Sequence, residues 1–193
     1  MKKIKISNGQ GFWGDCEEAP LKLIKYGDID YLTLDYLAEV TISIMQKQKM
    51  KNSKYGYALD FVDLIKDNCN ALLKNKIKVI SNAGGVNPVA CAKNIKENLP
   101  NDSINIGIIE GDDIYNDIDK LILNGADLSN TDTGDSIDLI KNKICSANVY
   151  IDSFAIKKAL NMGAHIVLAG RVSDPGLTLG PLLYEFDWKS NEY

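Results

Sequence analysis

Two polar segments of the sequence carry residue types that suit acid–base and anion-binding chemistry. Glu110, Asp112 and Asp113 place three carboxylates within four residues, directly after an apolar run. Capping of a following helix needs one of them. The remaining carboxylates could bind a divalent cation, which takes oxygen ligands, or one of them could transfer protons. Arg171 follows another apolar run and could hold a carboxylate or phosphate, or pair with Asp174 or another nearby acid.

A glycine-containing segment between an apolar run and a proline could hold a negatively charged group. It contains Asn82, Gly84, Gly85 and Asn87. Adjacent glycines let successive backbone N–H groups point inward, and the following helix directs its positive end to the same place. Such a cradle suits a phosphate, a carboxylate or a thioester oxygen that becomes an enolate, with the Asn82 amide as a further donor. An ordinary strand-to-helix turn with a good cap explains the same residues.

The first loop matches the phosphate-binding fingerprint of nicotinamide-dependent proteins. Gly9 and Gly11 begin a G-x-G-x-x-G pattern after a strand, and Asp35 ends the next strand, where an acid would hold the ribose. However, the next helix is predicted to begin several residues too late, and three acids, Asp15 among them, crowd the place of a pyrophosphate. A loop that only needs positive φ, or one that offers Asp15 to another ligand, is the alternative.

Short apolar runs that alternate with amphipathic segments predict the elements that position these residues. Strands are predicted over residues 3–7, 31–34, 77–81, 104–109 and 164–169, with 147–151 as a strand or extended segment. Helices are predicted over residues 20–27, 37–51, 59–74, 87–98, 112–124, 137–143 and 153–162, with 125–136 as a loop and 175–183 as a loop or helix. This alternation predicts an α/β fold: a mostly parallel twisted sheet with helices on both faces, in a Rossmann-like three-layer arrangement. The polar residues after the strands would then meet at one edge of the sheet.

Composition limits the class of protein. A length of 193 residues fits a single α/β domain over residues 1–193, and 45% hydrophobic with 25% charged residues is typical of a soluble globular protein. A net charge of −4 without a basic stripe argues against nucleic-acid binding, and the apolar runs are far shorter than the ~20 residues that span a bilayer. Four dispersed cysteines and a single histidine, His165, exclude a zinc site of the usual Cys/His spacing and favour a reducing cytoplasm.

Eight short motifs occur in a fixed order along essentially the whole chain. They are Gly9-x-Gly11-x-x-Gly14-Asp15, Asp30-Tyr31-Leu32 with Leu37-Ala38-Glu39-x-Thr41, Asn82-Ala83-Gly84-Gly85-x-Asn87-Pro88, Gly111-Asp112-Asp113, Ser146-Ala147-Asn148-x-Tyr150, Gly170-Arg171-x-x-Asp174, Leu179-Gly180-Pro181-Leu182 and Glu185-Phe186-x-Trp188. Together they resemble the amino-terminal region of the acyclic terpene utilisation (AtuA-like) family. The resemblance has departures, because Cys16 stands where the family commonly has an arginine.

The resemblance implies a role in the breakdown of citronellol- and geraniol-type compounds through coenzyme A thioesters, which would be the substrates. Hydration, or a lyase step through an enolate, would fit the residues. The motif positions implied to line the site are Asp15, Asn82, Gly84, Gly85, Asn87, Asp112, Asp113, Asn148, Tyr150, Arg171 and Asp174. We expect the Gly84 and Gly85 N–H groups with Asn82 to hold the thioester oxygen. Asp112 or Asp113 would transfer the proton, and Arg171 would hold an anionic group.

Other interpretations remain open. Members of the family are usually longer than this chain, so it could be a non-catalytic binding or assembly subunit that needs a partner with the carboxy-terminal half. A nicotinamide-dependent dehydrogenase would rest on the first loop, with Gly9 and Gly11 at the ligand. Magnesium would fit the acidic segment as a cofactor. We expect a cytoplasmic homo-oligomer that binds a small molecule, with no nucleic-acid or membrane partner.

Overall fold

The computed structural model describes residues 2–99 and 103–190, which contain five β-strands and seven α-helices. The strands are β1 (Ile6–Gln10), β2 (Tyr31–Leu34), β3 (Lys78–Ser81), β4 (Ile106–Ile109) and β5 (Ile166–Ala169). The helices are α1 (Glu18–Tyr26), α2 (Glu39–Lys51), α3 (Leu59–Asn75), α4 (Pro88–Asn98), α5 (Ile118–Leu123), α6 (Ser153–Asn161) and α7 (Gly176–Glu185).

The five strands form one parallel sheet in the order β1-β2-β3-β5-β4. Successive strand residues face two separate apolar clusters. Leu32 and Leu168 belong to the cluster that includes α1, α3 and α4, whereas Tyr31 and Val167 belong to the cluster that includes α6 and α7. Both faces are covered, which explains why the strands are apolar throughout. The predicted α/β fold, with a parallel sheet between two layers of helices, is confirmed.

The direction of the connections changes between β3 and β5. The chain leaves β3 for α4 on the first face, and it leaves β5 for α7 on the second face. Because β3 and β5 are neighbours in the sheet, a crevice opens between their carboxyl ends. Open α/β sheets bind their ligands at such a point. The topology therefore locates a candidate site before any side chain is considered.

The structure shifts several predicted boundaries. β1 continues through Gly9, which packs so closely that a Cβ there would lie 2.9 Å from the side chain of Leu32. The predicted helix over 112–124 is reduced to a 3-10 turn and α5, because the backbone of Asp112 and Ile114 pairs with the segment around Asn148. Residues 137–143 form two 3-10 turns rather than one helix, and 176–183 of the predicted loop or helix over 175–183 lie in α7.

The four cysteines are free thiols, and the single histidine lies at the amino edge of the sheet. Cys69 and Cys91 are buried thiols, Cys16 and Cys145 are exposed thiols, and no disulfide links them. His165 accepts a hydrogen bond from a backbone N–H at the amino end of β4, 3.0 Å away. Within residues 2–99 and 103–190, no helix is both long and apolar enough to cross a membrane.

Candidate functional site

The crevice between β3 and β5 depends on a glycine at its floor. Gly84 lies in the turn after β3, and a Cβ at this position would be 2.6 Å from the carbonyl oxygen of Ala169 and 2.6 Å from the ring of Pro88. No side chain fits there, because one neighbour is a backbone carbonyl group and the other is the rigid ring of a proline. Gly84 thus lets the turn after β3 approach the end of β5.

Asn82, the first residue after β3, ties this strand to the end of β2. Its side chain is fully buried. Its Oδ1 accepts a hydrogen bond from the N–H of Tyr36 at 2.7 Å, and its Nδ2 donates to Oδ1 of Asp35 at 2.6 Å. The amide is therefore used to join two strand ends, and it orients the carboxyl group of Asp35.

Asp112 connects the ends of β4 and β5. Its Oδ2 accepts hydrogen bonds from the backbone N–H of Arg171 and from Nδ2 of Asn148, both at 2.8 Å. A Cβ at Gly170 would lie 2.3 Å from Oδ1 of Asp112, so only glycine lets the carboxylate sit this close to β5. Asp112 is a buried positioning residue that fixes the Arg171 backbone and the Asn148 side chain.

Arg171 is the only arginine in the sequence, and its side chain is 5% exposed. Nη1 donates to the carbonyl oxygen of Leu37 at 2.7 Å, and Nη2 forms an ion pair with Asp174 at 2.9 Å. The ring of Tyr150 lies over the guanidinium, with 4.2 Å between Cζ and the ring centroid. The Tyr150 hydroxyl donates to Oε1 of Glu39 at 3.0 Å. Arg171 is held from three sides by groups of different chemistry.

A cavity of about 250 Å³ opens beside this guanidinium. Its lining combines one cation, one carboxylate, a phenol, an amide and a hydroxyl with one aliphatic side chain: Arg171, Glu39, Tyr150, Asn148, Ser146 and Ile42. Ligand sites of this type have a few polar groups that fix orientation against an apolar wall. The cavity can therefore orient a small group that accepts hydrogen bonds.

The surroundings of Asp35 suit a group that transfers protons. Burial raises its pKa, and the nearby carboxylate of Asp174 acts in the same direction. The hydrogen bonds from Asn82 and Leu37, and the charge of Arg171, oppose that rise in the pKa only in part. A carboxyl group with a raised pKa that interacts electrostatically with a buried cation is a candidate general acid or base.

The structure gathers some of the sequence-predicted residues and separates others. Asn82, Gly84, Asp112, Asn148, Tyr150, Arg171 and Asp174 meet at the β3–β5 crevice. Asp113 is exposed, and its Oδ1 accepts a hydrogen bond from the N–H of Tyr115 at 3.1 Å, as a local turn requires.

Gly85 and Asn87, two residues of the predicted anion-binding cradle, donate their hydrogen bonds to carbonyl oxygens of the protein itself. The N–H of Gly85 donates to the carbonyl oxygen of Asn82 at 3.1 Å, and Gly85 is buried against Met45 and Gly56. Nδ2 of Asn87 donates to two carbonyl oxygens of the loop between α2 and α3, at 2.8 and 2.9 Å, and it does not cap α4. These residues shape the turn instead of presenting donors to a ligand.

The first loop forms a separate structure at the end of β1. Asp15 accepts hydrogen bonds from the N–H of Gly11 at 3.0 Å and the N–H of Cys16 at 2.7 Å. These bonds hold the pKa of Asp15 below its ordinary value. The loop's own carboxylate thus lies where the fingerprint would place a phosphate.

Sequence reasoning did not assign Glu39, the Leu37 carbonyl or Ser146 to the site, and it considered Asp35 only as a ribose-binding acid. Glu39 and Leu37 lie inside one of the ordered motifs, which was the available signal. For a metal, the described ranges 2–99 and 103–190 contain no group of three or more His, Cys, Asp or Glu side chains placed to hold an ion.

These features define an α/β protein whose candidate site lies at the carboxyl edge of a parallel sheet. A family model described as acyclic terpene utilisation family protein AtuA matches residues 4–193. Because the match covers nearly the whole sequence, the chain belongs to this family, as the ordered motifs predicted. A search of curated proteins and a search of solved structures each gave no match. The description of the family connects it with acyclic terpene utilisation.

Proposed function

We propose that this chain forms an enzyme, or part of one, that adds water to or eliminates water from a branched acyl thioester in acyclic terpene utilisation. The observation that carries the proposal is that Asp35, whose pKa is raised by burial, is hydrogen-bonded to Asn82 at the end of β3 and interacts electrostatically with the buried Arg171. Family membership supports the substrate class. The two residues supply a proton-transfer group and a fixed positive charge.

Asp35 takes the role of proton carrier in this proposal, in place of Asp112 or Asp113. Its carboxylate accepts a proton from water while the hydroxyl adds to the β-carbon of an α,β-unsaturated thioester. The electron pair moves onto the thioester oxygen as an enolate, and the proton is then delivered to the α-carbon. Arg171 offsets the negative charge of the enolate. Elimination of water follows the same steps in reverse.

The charge balance of the site favours a thioester over a free acid. Asp35, Glu39 and Asp174 each interact electrostatically with Arg171, so three acidic groups surround one guanidinium. A free carboxylate would add a further negative charge to this group, whereas the reacting end of a thioester is neutral. Negative charge then develops only in the enolate, where the cation is most useful.

The experiment follows the consumption of branched α,β-unsaturated acyl-CoA thioesters by ultraviolet absorbance. Asp35→Asn should lower kcat by about 10²- to 10⁴-fold, the usual contribution of a general acid or base. Asp187→Asn is a matched control, because Asp187 is an exposed carboxylate that pairs with Lys157 outside the crevice. Full activity of Asp35→Asn would contradict the proposal. Loss of activity in Asp113→Asn alone would restore the sequence-based assignment.

A second candidate function, a binding or assembly subunit that needs a separate partner, is favoured by the size of the cavity. At about 250 Å³ it lies below the ~300–1,000 Å³ of most small-molecule sites. In that case the isolated chain would be folded and inactive, and a co-expressed partner would restore turnover. The nicotinamide-dependent alternative is disfavoured, because Asp15 already uses the Gly11 N–H of the first loop.

A further inference from the structure

The outer edge of β4 has backbone groups without a strand partner. β4 is the last strand of the sheet, and among the described residues no strand pairs with its outer side. The carbonyl oxygens of Asn105 and Ile109 accept hydrogen bonds from the β5 side. Because alternate residues of a strand bond to opposite neighbours, the N–H and C=O groups of Ile106 and Ile108 point outward. The edge therefore offers a regular row of donors and acceptors.

A groove of about 560 Å³ runs along this edge, between β4 and α6. It is lined by the six consecutive residues 105–110 and by the facing side chains of α6 and the turn after it, Ala155, Lys158, Ala159, Met162 and Ala164. Ile108 is 41% exposed. Proteins usually protect an edge strand with lysine, proline, a charge or a bulge, and the four residues of β4 include no such residue. A groove of this kind suits an added strand.

We propose that the outer edge of β4 pairs in antiparallel orientation with β4 of a second copy of this chain. The two five-stranded sheets would then form one continuous sheet across a twofold axis. A twofold interface uses the same patch on both copies, and the outward groups of Ile106 and Ile108 occur on both. The outward N–H groups of each copy would thus donate hydrogen bonds to the outward carbonyl oxygens of the other. This proposal is independent of the chemistry of the β3–β5 crevice.

The negative charge of Glu110 favours an antiparallel over a parallel pairing of the two β4 strands. Glu110 lies at the carboxyl end of the groove, next to the acidic Asp112 and Asp113. A parallel arrangement would place the two Glu110 side chains next to each other, which is unfavourable for like charges on paired strands. The antiparallel arrangement separates them and brings each Glu110 towards the other copy's groove wall, which carries Lys158.

Sedimentation equilibrium of the 193-residue chain tests the pairing. The wild type should have twice the monomer mass of 21.3 kDa, and Ile108→Lys should have the monomer mass, because the lysine places a charge in the shared edge. The matched control is Leu123→Lys, at an 86% exposed apolar residue outside the groove, which should remain dimeric. Circular dichroism checks that Ile108→Lys is folded. A monomeric wild type, or a dimeric Ile108→Lys, would overturn the proposal.

Cross-linking provides a second measurement that does not depend on a disruptive substitution. Ile108→Cys in a background with Cys16→Ser and Cys145→Ser should give a covalent dimer with a short bismaleimide reagent, since both copies place residue 108 near the axis. Leu123→Cys in the same background should stay monomeric on a denaturing gel. Equal cross-linking at both positions, or none at residue 108, would show that β4 is not the interface.

Discussion

Nη1 of Arg171 donates a hydrogen bond to the carbonyl oxygen of Leu37 across 2.7 Å. Arg171 follows β5 and Leu37 follows β2, and β3 lies between these two strands in the sheet. The bond therefore spans the carboxyl end of β3. One long side chain thus crosses the end of β3 and at the same time presents the only guanidinium of the sequence to the crevice.

Replacing Arg171 should destabilise the fold as well as the site. In Arg171→Met, the Leu37 carbonyl loses a charged donor and Asp174 loses its partner, so the free energy of unfolding should fall by about 1–3 kcal/mol. Lys22→Met is the control, because Lys22 forms an exposed pair with Glu18 on one helix and should change stability by less than about 0.5 kcal/mol. Urea unfolding measures both. Equal effects would show that Arg171 does not join the strand ends.

The raised pKa of Asp35 predicts a specific pH dependence of stability. Between the ordinary pKa of an aspartate and the raised pKa in the folded protein, the folded state binds more protons than the unfolded state. The free energy of unfolding should therefore decrease as the pH rises through that interval. Asp35→Asn removes this contribution, so its stability should decline less over the same range. Urea unfolding from about pH 4 to pH 7 compares the two proteins, and parallel curves would contradict the raised pKa.

Asp174 should limit the binding of free carboxylates at Arg171. It is the exposed member of the ion pair, with 58% of its side chain exposed, whereas the arginine is fixed and buried. Asp174→Asn removes a negative charge that an incoming carboxylate must displace. We expect branched free acids to bind about tenfold more tightly, which corresponds to about 1.4 kcal/mol. Titration calorimetry measures this, with Asp187→Asn as the control. An unchanged affinity would mean that free acids do not reach Arg171.

Two glycine-to-alanine substitutions should have very different effects. At Gly84 a methyl group would meet the Ala169 carbonyl oxygen and Pro88, each at 2.6 Å, so overpacking should cost about 1–3 kcal/mol. At Gly11 the nearest atom would be Oδ2 of Asp15, at an ordinary contact distance of 3.6 Å. Gly11→Ala should therefore leave stability nearly unchanged in thermal unfolding. A strong loss in Gly11→Ala would instead indicate a tightly constrained first loop.

Much of the architecture could be predicted from local patterns. Short apolar runs, each leading into a glycine, an amide or a charged residue, predicted strands of four to six residues, the parallel sheet and its polar edge. The predicted element boundaries are wrong where residues that are distant in the sequence form backbone hydrogen bonds with each other. The predicted helix after Asp112 is shortened because the N–H of Val149 donates to the Asp112 carbonyl oxygen at 2.8 Å. Such pairing leaves no trace in the helical periodicity of the residues involved.

For the site, too, the sequence determined one part and the tertiary structure determined the other. The sequence by itself determined which polar residues follow which strands, and the ordered motifs were sufficient to predict the family that the match over residues 4–193 confirms. It could not determine that Asn82 would orient Asp35, or that Arg171 would reach Leu37. Those contacts depend on the strand order, which brings β3 and β5 together although Asn82 and Ile166 are 84 positions apart in the sequence. Only the tertiary structure decided the burial of Asp35, and burial is the physical cause of its raised pKa.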